Sequence, residues 1–418
     1  MTTVTAGTAP RSSFREVWLI SAGHMMTHWY PSTFYLLLPL IGHELGLSIT
    51  QTVSILTCQS AAGALANLPG GMAVDAIGRK GLLMAVALSW VGLPYLVMGF
   101  SHSYWMLLVC AALVGIGNNL WHPTAIPLLA QNHPERRGLV VSIHGMGGNL
   151  GDAVAPLAVG AMLEVISWRD VVIINVIPGI AAAVLLLVLL GRGAGMTDGA
   201  RPGRSGAERR KVLDALAGVG LLFANRTVMM LSLGSAVRAM TAMTLLAFLP
   251  LFLENELGYS PAWAGGLMFA LQAAGFAAAP VSGHLSDRMG RRNIIMTSMA
   301  MSCVVLLFMA FAGRSPVFAL FVAFLGFFLF AIRAVLQAWL LDATPRQLGG
   351  TSIGMLFGAQ AVGAAIGPLI GGVLADHYGI IATFYFLAAT SVVANMFIFF
   401  TPVTSAEQPR AKEEPANA

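Results

Sequence analysis

Gly71-Met-Ala-Val-Asp75-Ala-Ile-Gly78-Arg79-Lys80 and Gly283-His-Leu-Ser-Asp287-Arg-Met-Gly290-Arg291-Arg292 lie 212 residues apart and share the pattern Gly-x-x-x-Asp-x-x-Gly-Arg-Lys/Arg. Similarity at a fixed offset marks an internal repeat, and two further stretches keep the register. Glu44-Leu-Gly46-Leu-Ser48 matches Glu256-Leu-Gly258-Tyr-Ser260, and Gly151, Pro156 and Gly160 match Gly363, Pro368 and Gly372. The chain reads as one unit written twice.

What surrounds these stretches is too apolar for a soluble domain. Hydrophobic residues make up 57% of the 418 and charged residues 10%, against roughly half and a quarter in ordinary soluble proteins. The run from Val17 to Ile41 already exceeds the ~20 helical residues that cross a bilayer core, and similar runs follow it. We expect twelve spans, near 17–41, 50–73, 80–100, 104–131, 138–164, 170–190, 227–253, 261–284, 292–312, 316–342, 350–376 and 380–401. The first run is too long for the apolar core of a signal peptide, so Met1 to Glu16 is expected to be retained as a tail. Cys58, Cys110 and Cys303 sit singly inside apolar runs, a usage that implies neither a disulfide framework nor a zinc site.

Placing the N-terminus in the cytoplasm puts nineteen of the 23 Lys and Arg residues on the inside. The outside loops then hold only Arg169 and Arg314, while Arg238 and Arg333 fall within spans. The positive-inside bias thus accounts for the net charge of +5 without nucleic acid. The expected fold class is an all-α membrane protein of twelve transmembrane helices in two six-helix pseudo-symmetric halves. Its parts would be a cytoplasmic N-terminal tail at 1–16, a first half at 17–190, a Gly- and Arg-rich cytoplasmic linker at 191–226, a second half at 227–401 and a cytoplasmic tail at 402–418. Six is even, so the halves run parallel about an axis along the membrane normal, as in alternating-access transporters.

The two glycine-aspartate loops resemble the signature loop of the major facilitator superfamily, and the resemblance covers nearly the whole chain. In such a loop an acid stands at a helix end among basic side chains, a charged latch for one conformation. Here its members would be Gly71, Asp75, Gly78, Arg79 and Lys80 in one half, and Gly283, Asp287, Arg288, Gly290, Arg291 and Arg292 in the other. Gly23-His24 through Tyr30 and Pro39, His122-Pro123, and Arg137-Gly138 through Gly147-Gly148, Gly151 and Pro156 are similar to the fosmidomycin-resistance-type branch of bacterial drug exporters. That branch usually has acids where this chain has His28 and Thr124, and antiporters often carry an arginine where Ala111 stands; these departures bear on proton coupling.

Ionisable residues at membrane depth are costly and usually face a cavity or a partner. His28, Asp152 and Arg238 fall near mid-depth, with His24, His122, His144 and Arg333 closer to the cytoplasm. The resemblance implies that spans one, four, seven and ten line the central cavity, which brings His24, His28, His122, Arg238 and Arg333 to it. His24 and His28, Asn118 and His122, and Arg333 and Gln337 are each four apart, on one helix face. Substrate contacts are therefore expected from Arg238, Arg333, His28, His122, Tyr30, Asn118 and Gln337, since guanidinium groups hold carboxylate or phosphonate in two-point bonds. A competing reading pairs Arg238 with Asp152 as an ion pair between the halves. Asp152, His28, His122, His24 and His144 are the candidate proton carriers, an imidazole titrating near pH 6.5 when unperturbed. Without ligand-like spacing among the histidines no metal ion is expected, nor is any cofactor.

These features lead to a monomeric secondary transporter of the bacterial inner membrane, multi-pass with both termini cytoplasmic and in contact with membrane lipid. It would export a small amphiphilic or anionic compound by proton coupling. A proton-linked importer of organic acids and a non-transporting receptor or structural protein are the alternatives. No phosphate-binding loop, nucleophile elbow or ligand constellation points to an enzyme.

Overall fold

The computed structural model describes residues 14–77, 79–190, 220–313, 315–345 and 348–402. Both tails before 14 and after 402, most of the expected linker and Gly78 lie outside the described residues, as does the side chain of Asp75. In the first half α1 (Phe14–Leu45), α2 (Ile49–Ile77), α3 (Lys80–Phe100), α4 (Tyr104–Asn119), α5 (Trp121–Asn132), α6 (Arg137–Leu163) and α7 (Trp168–Leu190) make six spans. In the second, α8 (Arg226–Asn255), α9 (Pro261–Met289), α10 (Arg291–Ala312), α11 (Phe318–Asp342), α12 (Gly349–Tyr378) and α13 (Ile381–Phe399) make the other six. The fourth span is split into α4 and α5 because Pro123 has no N–H to give the Asn119 carbonyl. The chain turns there through Leu120, whose N–H reaches Gly117 O at 3.2 Å.

Among the described residues nine spans, counting α4 and α5 as one, are long and apolar enough to cross a bilayer by composition alone. The remaining three, α1, α2 and α6, interrupt their apolar sequence with polar side chains and cover them against neighbours. The repeat is visible in the packing. α1 lies on α6, α2 on α4 and α3 on α7, just as α8 lies on α12, α9 on α11 and α10 on α13. Glycines allow these approaches: a Cβ on Gly151 would stand 2.4 Å from Met25 O, and one on Gly363 2.0 Å from Ala236 O, contacts within one residue of the repeat register. Gly46 and Gly258 end α1 and α8 at φ 60° and 66°, a left-handed turn that other residues resist.

The halves meet along α6 with α9 and α2 with α12. Among the described residues these contacts, with those of α1 on α8, gather at one face. One apolar core there joins Phe34, Leu37 and Val53 of the first half to Leu249, Phe252 and Ala264 of the second. Toward the termini the core divides into two separate clusters, one around Ile20 and Trp121 and the other around Ile332 and Trp339. The molecule is therefore closed at the face of the α1–α2 turn and open at the face of the glycine-aspartate loops.

Three polar contacts fasten the closed face, and they obey the 212-residue repeat. Asp376 at the end of α12 accepts the Ile49 and Thr50 amides that start α2, at 2.8 and 3.1 Å. Its counterpart Glu164, just past α6, accepts the Ala262 amide that starts α9, at 3.0 Å. His43 and Asn255, themselves 212 apart, bond across the pseudo-twofold axis at 3.1 Å. A carboxylate on exposed helix N–H groups is favoured by both hydrogen bonding and the helix dipole. Gly160 and Gly372 lie beside these caps, so close to Pro261 and Thr50 that a Cβ would meet their backbone at 2.4 and 2.8 Å.

The signature loops, by contrast, bond within their own halves. Arg291 holds Asp342 at 2.6 Å and Asp287 at 3.4 Å, and Lys80 reaches Gln131 at 2.6 Å. Gly290 makes the turn at φ 88°, and Arg292 donates to the Phe399 carbonyl. Gly283 has open space where a Cβ would be, and Arg79 and Arg288 are exposed. None of these described contacts crosses between halves.

Bonds from the Ser260 hydroxyl and the Ala262 amide hold the Glu164 carboxyl below the usual carboxylate range. A depressed pKa contributes stability above the ordinary value and loses it as pH falls through the depressed one, so acid should loosen the closed face. Replacing both caps, Glu164→Gln with Asp376→Asn, is expected to shift the population several-fold toward a form parted at this face. Distance distributions between spin labels on the α1–α2 and α8–α9 turns would read the shift; an unchanged distribution would remove the caps from the account.

Candidate functional site

Four histidines converge where α1, α5 and α6 meet. His24 is buried at 4% exposure, and its Nδ1–H donates to the His144 carbonyl at 2.7 Å. That bond leaves the His24 Nε2 lone pair facing His122 Nε2 at 3.0 Å. The His144 ring stacks on His24 with centroids 3.9 Å apart, and both of its nitrogens are buried without a partner. One turn further along α1, His28 donates from Nδ1 to Asp152 at 2.9 Å, and Ser32 donates to the other carboxylate oxygen at 2.8 Å. The pair is about a quarter exposed, so it is reachable from the opening between the halves.

The packing that sets this register is again glycine-dependent. α6 slides close on α1 because Gly147, Gly148 and Gly151 present no side chain: a Cβ would meet Ser21 O at 2.3 Å, His24 Cε1 at 2.7 Å and Met25 O at 2.4 Å respectively. Trp121, fully buried, fills the space left by Gly23 and so positions the start of α5 and His122 beside it.

The second half supplies the cations. Arg238 on α8 is 6% exposed, makes one long bond to the Leu329 carbonyl at 3.5 Å, and leaves Nε without a partner. Arg333 on α11 is exposed and has no hydrogen bond or ion pair among the described residues. His122, on α5 of the other half, is likewise exposed. Polar side chains exposed at mid-span positions of both halves fit a water-filled opening between them. Asn118 lies above His122 with its Oδ1 buried and unpartnered, and Gln337 is half-buried one turn from Arg333.

Two sequence readings are corrected here. Asp152 pairs with His28 and Ser32, not with Arg238, because α6 packs along α1 of its own half. Tyr30 does not line the cavity; it is 1% exposed, reaches toward the Val176 carbonyl at 3.5 Å, and stacks edge-on with Tyr95 against α3 and α7. The ground for expecting no metal ion, absent ligand spacing along the chain, also fails in three dimensions. Ring nitrogens of His24, His28 and His122 all lie within 4.8 Å of one another. Sequence reasoning missed Ser32, Glu164 and Asp376. The last two could have been found as a pair of acids at the repeat offset, whereas Ser32 carries no signal beyond its place one turn after His28.

A duplicated, one-ended helical bundle with a polar cavity between its halves is the architecture of a secondary transporter. A family model described as Major Facilitator Superfamily matches the chain twice, over residues 17–278 and 231–418. The chain belongs to that superfamily, a family of transporters and not of enzymes. It is 24% identical to the fosmidomycin resistance protein of Escherichia coli over 94% of each chain. It is 34% identical to the multidrug resistance protein MdtG of Salmonella typhi over 37% of this chain and 39% of that one. Among solved structures, a bacterial homolog of the human lysosomal transporter Spinster superposes with TM-score 0.77 at 17% identity, covering 94% of this chain and 97% of that one. The D-xylose-proton symporter superposes with TM-score 0.73 at 15% identity, covering 93% and 98%.

Because the Tyr30 hydroxyl makes only one long bond, Tyr30→Phe should change ligand affinity by less than about twofold. Equilibrium binding by the purified variant would check this, and a loss of tenfold or more would return Tyr30 to the cavity.

Proposed function

We propose that the protein exports a small amphiphilic or anionic organic compound across the bacterial cytoplasmic membrane, driven by inward proton movement. The observation that carries the reading is the pair of arginines, Arg238 and Arg333, which have no acidic partner among the described residues and stand on the half opposite the His28–Asp152 pair. Guanidinium groups in a partly dry cavity bind carboxylate or phosphonate more strongly than they would in water. Their mutual repulsion is relieved when an anion enters.

In this reading the substrate is held between Arg238 and Arg333 on one side and His28, His122, Asn118 and Gln337 on the other. The His28–Asp152 unit holds the coupling proton, with Ser32 fixing the carboxylate and His24 and His144 as the polar surroundings. The two halves, 17–190 and 227–401, rock about this site as a monomer, with the linker, both termini and the glycine-aspartate loops cytoplasmic. The present form then faces inward, which the charge bias of the sequence and the closure at the opposite face both support. The loops would become a latch when the inner face closes. The export direction draws on the likeness to the fosmidomycin and multidrug resistance proteins.

Arg238→Gln and Arg333→Gln should each weaken binding of small organic anions at least about tenfold, the worth of one charge-assisted bond; unchanged affinity in both would sink the anion reading. Asp152→Asn should abolish uptake driven by a pH gradient in inside-out vesicles while substrate exchange persists. Uptake into right-side-out vesicles under an inward proton gradient would favour import instead.

A further inference from the structure

Three imidazoles with their nitrogens within 4.8 Å are more than a polar lining. A ligating histidine needs one nitrogen bare and turned to the ion, with the other hydrogen-bonded so that the ring and tautomer are fixed. His24 has that arrangement: Nδ1–H on the His144 carbonyl, Nε2 bare toward the cluster. His28 has it too, with Nδ1–H on the Asp152 carboxylate and Nε2 free beside Gly148. A carboxylate behind a ligating histidine is a recurrent second partner in metal sites, and the Ser32 hydroxyl holds this one in turn. His122, from α5, brings its own Nε2 to 3.0 Å from that of His24.

We infer that His24, His28 and His122 bind a divalent first-row transition-metal ion, zinc in the first instance, through their Nε2 atoms. Around a tetrahedral zinc with nitrogens ~2.0–2.1 Å away, neighbouring nitrogens stand about 3.3–3.4 Å apart. The 3.0 Å pair therefore opens slightly on binding, and His28 closes from within the 4.8 Å limit. No backbone shift is required of His122, whose exposed ring can turn. The step is a ligand exchange: the proton that His122 Nε2 shares with His24 moves to His122 Nδ1, and the ion takes both lone pairs. Three neutral imidazoles leave the ion its full positive charge, so Asp152 behind His28 is the nearest compensating group.

The fourth position opens to the cavity, toward the face that carries Arg333. A water, hydroxide or small anion there would lie between the metal and the guanidinium. His144, stacked on His24 with both nitrogens unpartnered, completes an imidazole-rich wall without being needed as a ligand. The inference rests on imidazole geometry and not on the transport reading above, although an ion held by His28 would compete with a proton there.

The test is a cobalt titration of the full-length protein in detergent, free of any polyhistidine tag. The visible absorption of Co²⁺ reports tetrahedral nitrogen coordination, and Zn²⁺ is then added to displace it. One saturable equivalent is expected, with Zn²⁺ bleaching the band. His122→Gln, exposed and so tolerated by the fold, should lower affinity at least about tenfold, and Asp152→Asn by about 10–100-fold. His24→Gln should abolish the band, while His377→Gln, on the distant closed face, should leave it unchanged. Absence of a saturable band, or an unchanged titration in His122→Gln, would overturn the site whether or not the protein transports anions.

Discussion

The structure depends on close backbone contact between its halves at a single face. Gly160 against Pro261 and Gly372 against Thr50 bring α6 onto α9 and α12 onto α2 with no side chain between. Carboxylates at Glu164 and Asp376 then satisfy helix N–H groups that would otherwise be unpaired. Because both contacts come from one duplicated unit, they lie symmetrically about the axis and resist tilting together. Closure at one end forces the other end apart, which explains why the apolar core divides toward the glycine-aspartate loops and why Arg333 and His122 are exposed within their spans.

Within this symmetric frame the chemistry is asymmetric. A charge at membrane depth is tolerated only where water or a partner meets it, and the cavity between the halves is the place that offers both. The first half fills its side with imidazoles and one carboxylate, in which His24 bonds the His144 carbonyl and His122, and His28 and Ser32 bond Asp152. The second half puts guanidinium groups there with almost no partners. A ligand that completes these unmet bonds would act on both halves at once. That is what coupling ligand binding to a rocking motion requires.

Much of the frame was legible in the chain. The repeat placed Gly46 and Gly258 in equivalent turns and Gly151 and Gly363 in equivalent contacts, because small residues and left-handed turns constrain the backbone locally. The four-residue spacing of His24 and His28 put them on one face, where they are found. The partner of Asp152 was not legible. Arg238 was a plausible partner by depth and charge, but depth says nothing about which way α6 turns, and its glycine face turns toward α1. Tyr30 illustrates the same limit, since an aromatic ring on α1 serves equally well in a cavity or against α7.

By itself the sequence determined the number of spans and their division into two related halves, because hydrophobic length, repeat offset and charge bias act along the chain. Only the tertiary structure decided that His24, His28, His122 and His144 share one cluster, with His122 lying 98 residues from His24 and His144 120 residues from it. Such convergence depends on the rotation of three helices about their own axes. That rotation is set by which glycines meet which backbone, a property of the packed bundle and of no single segment.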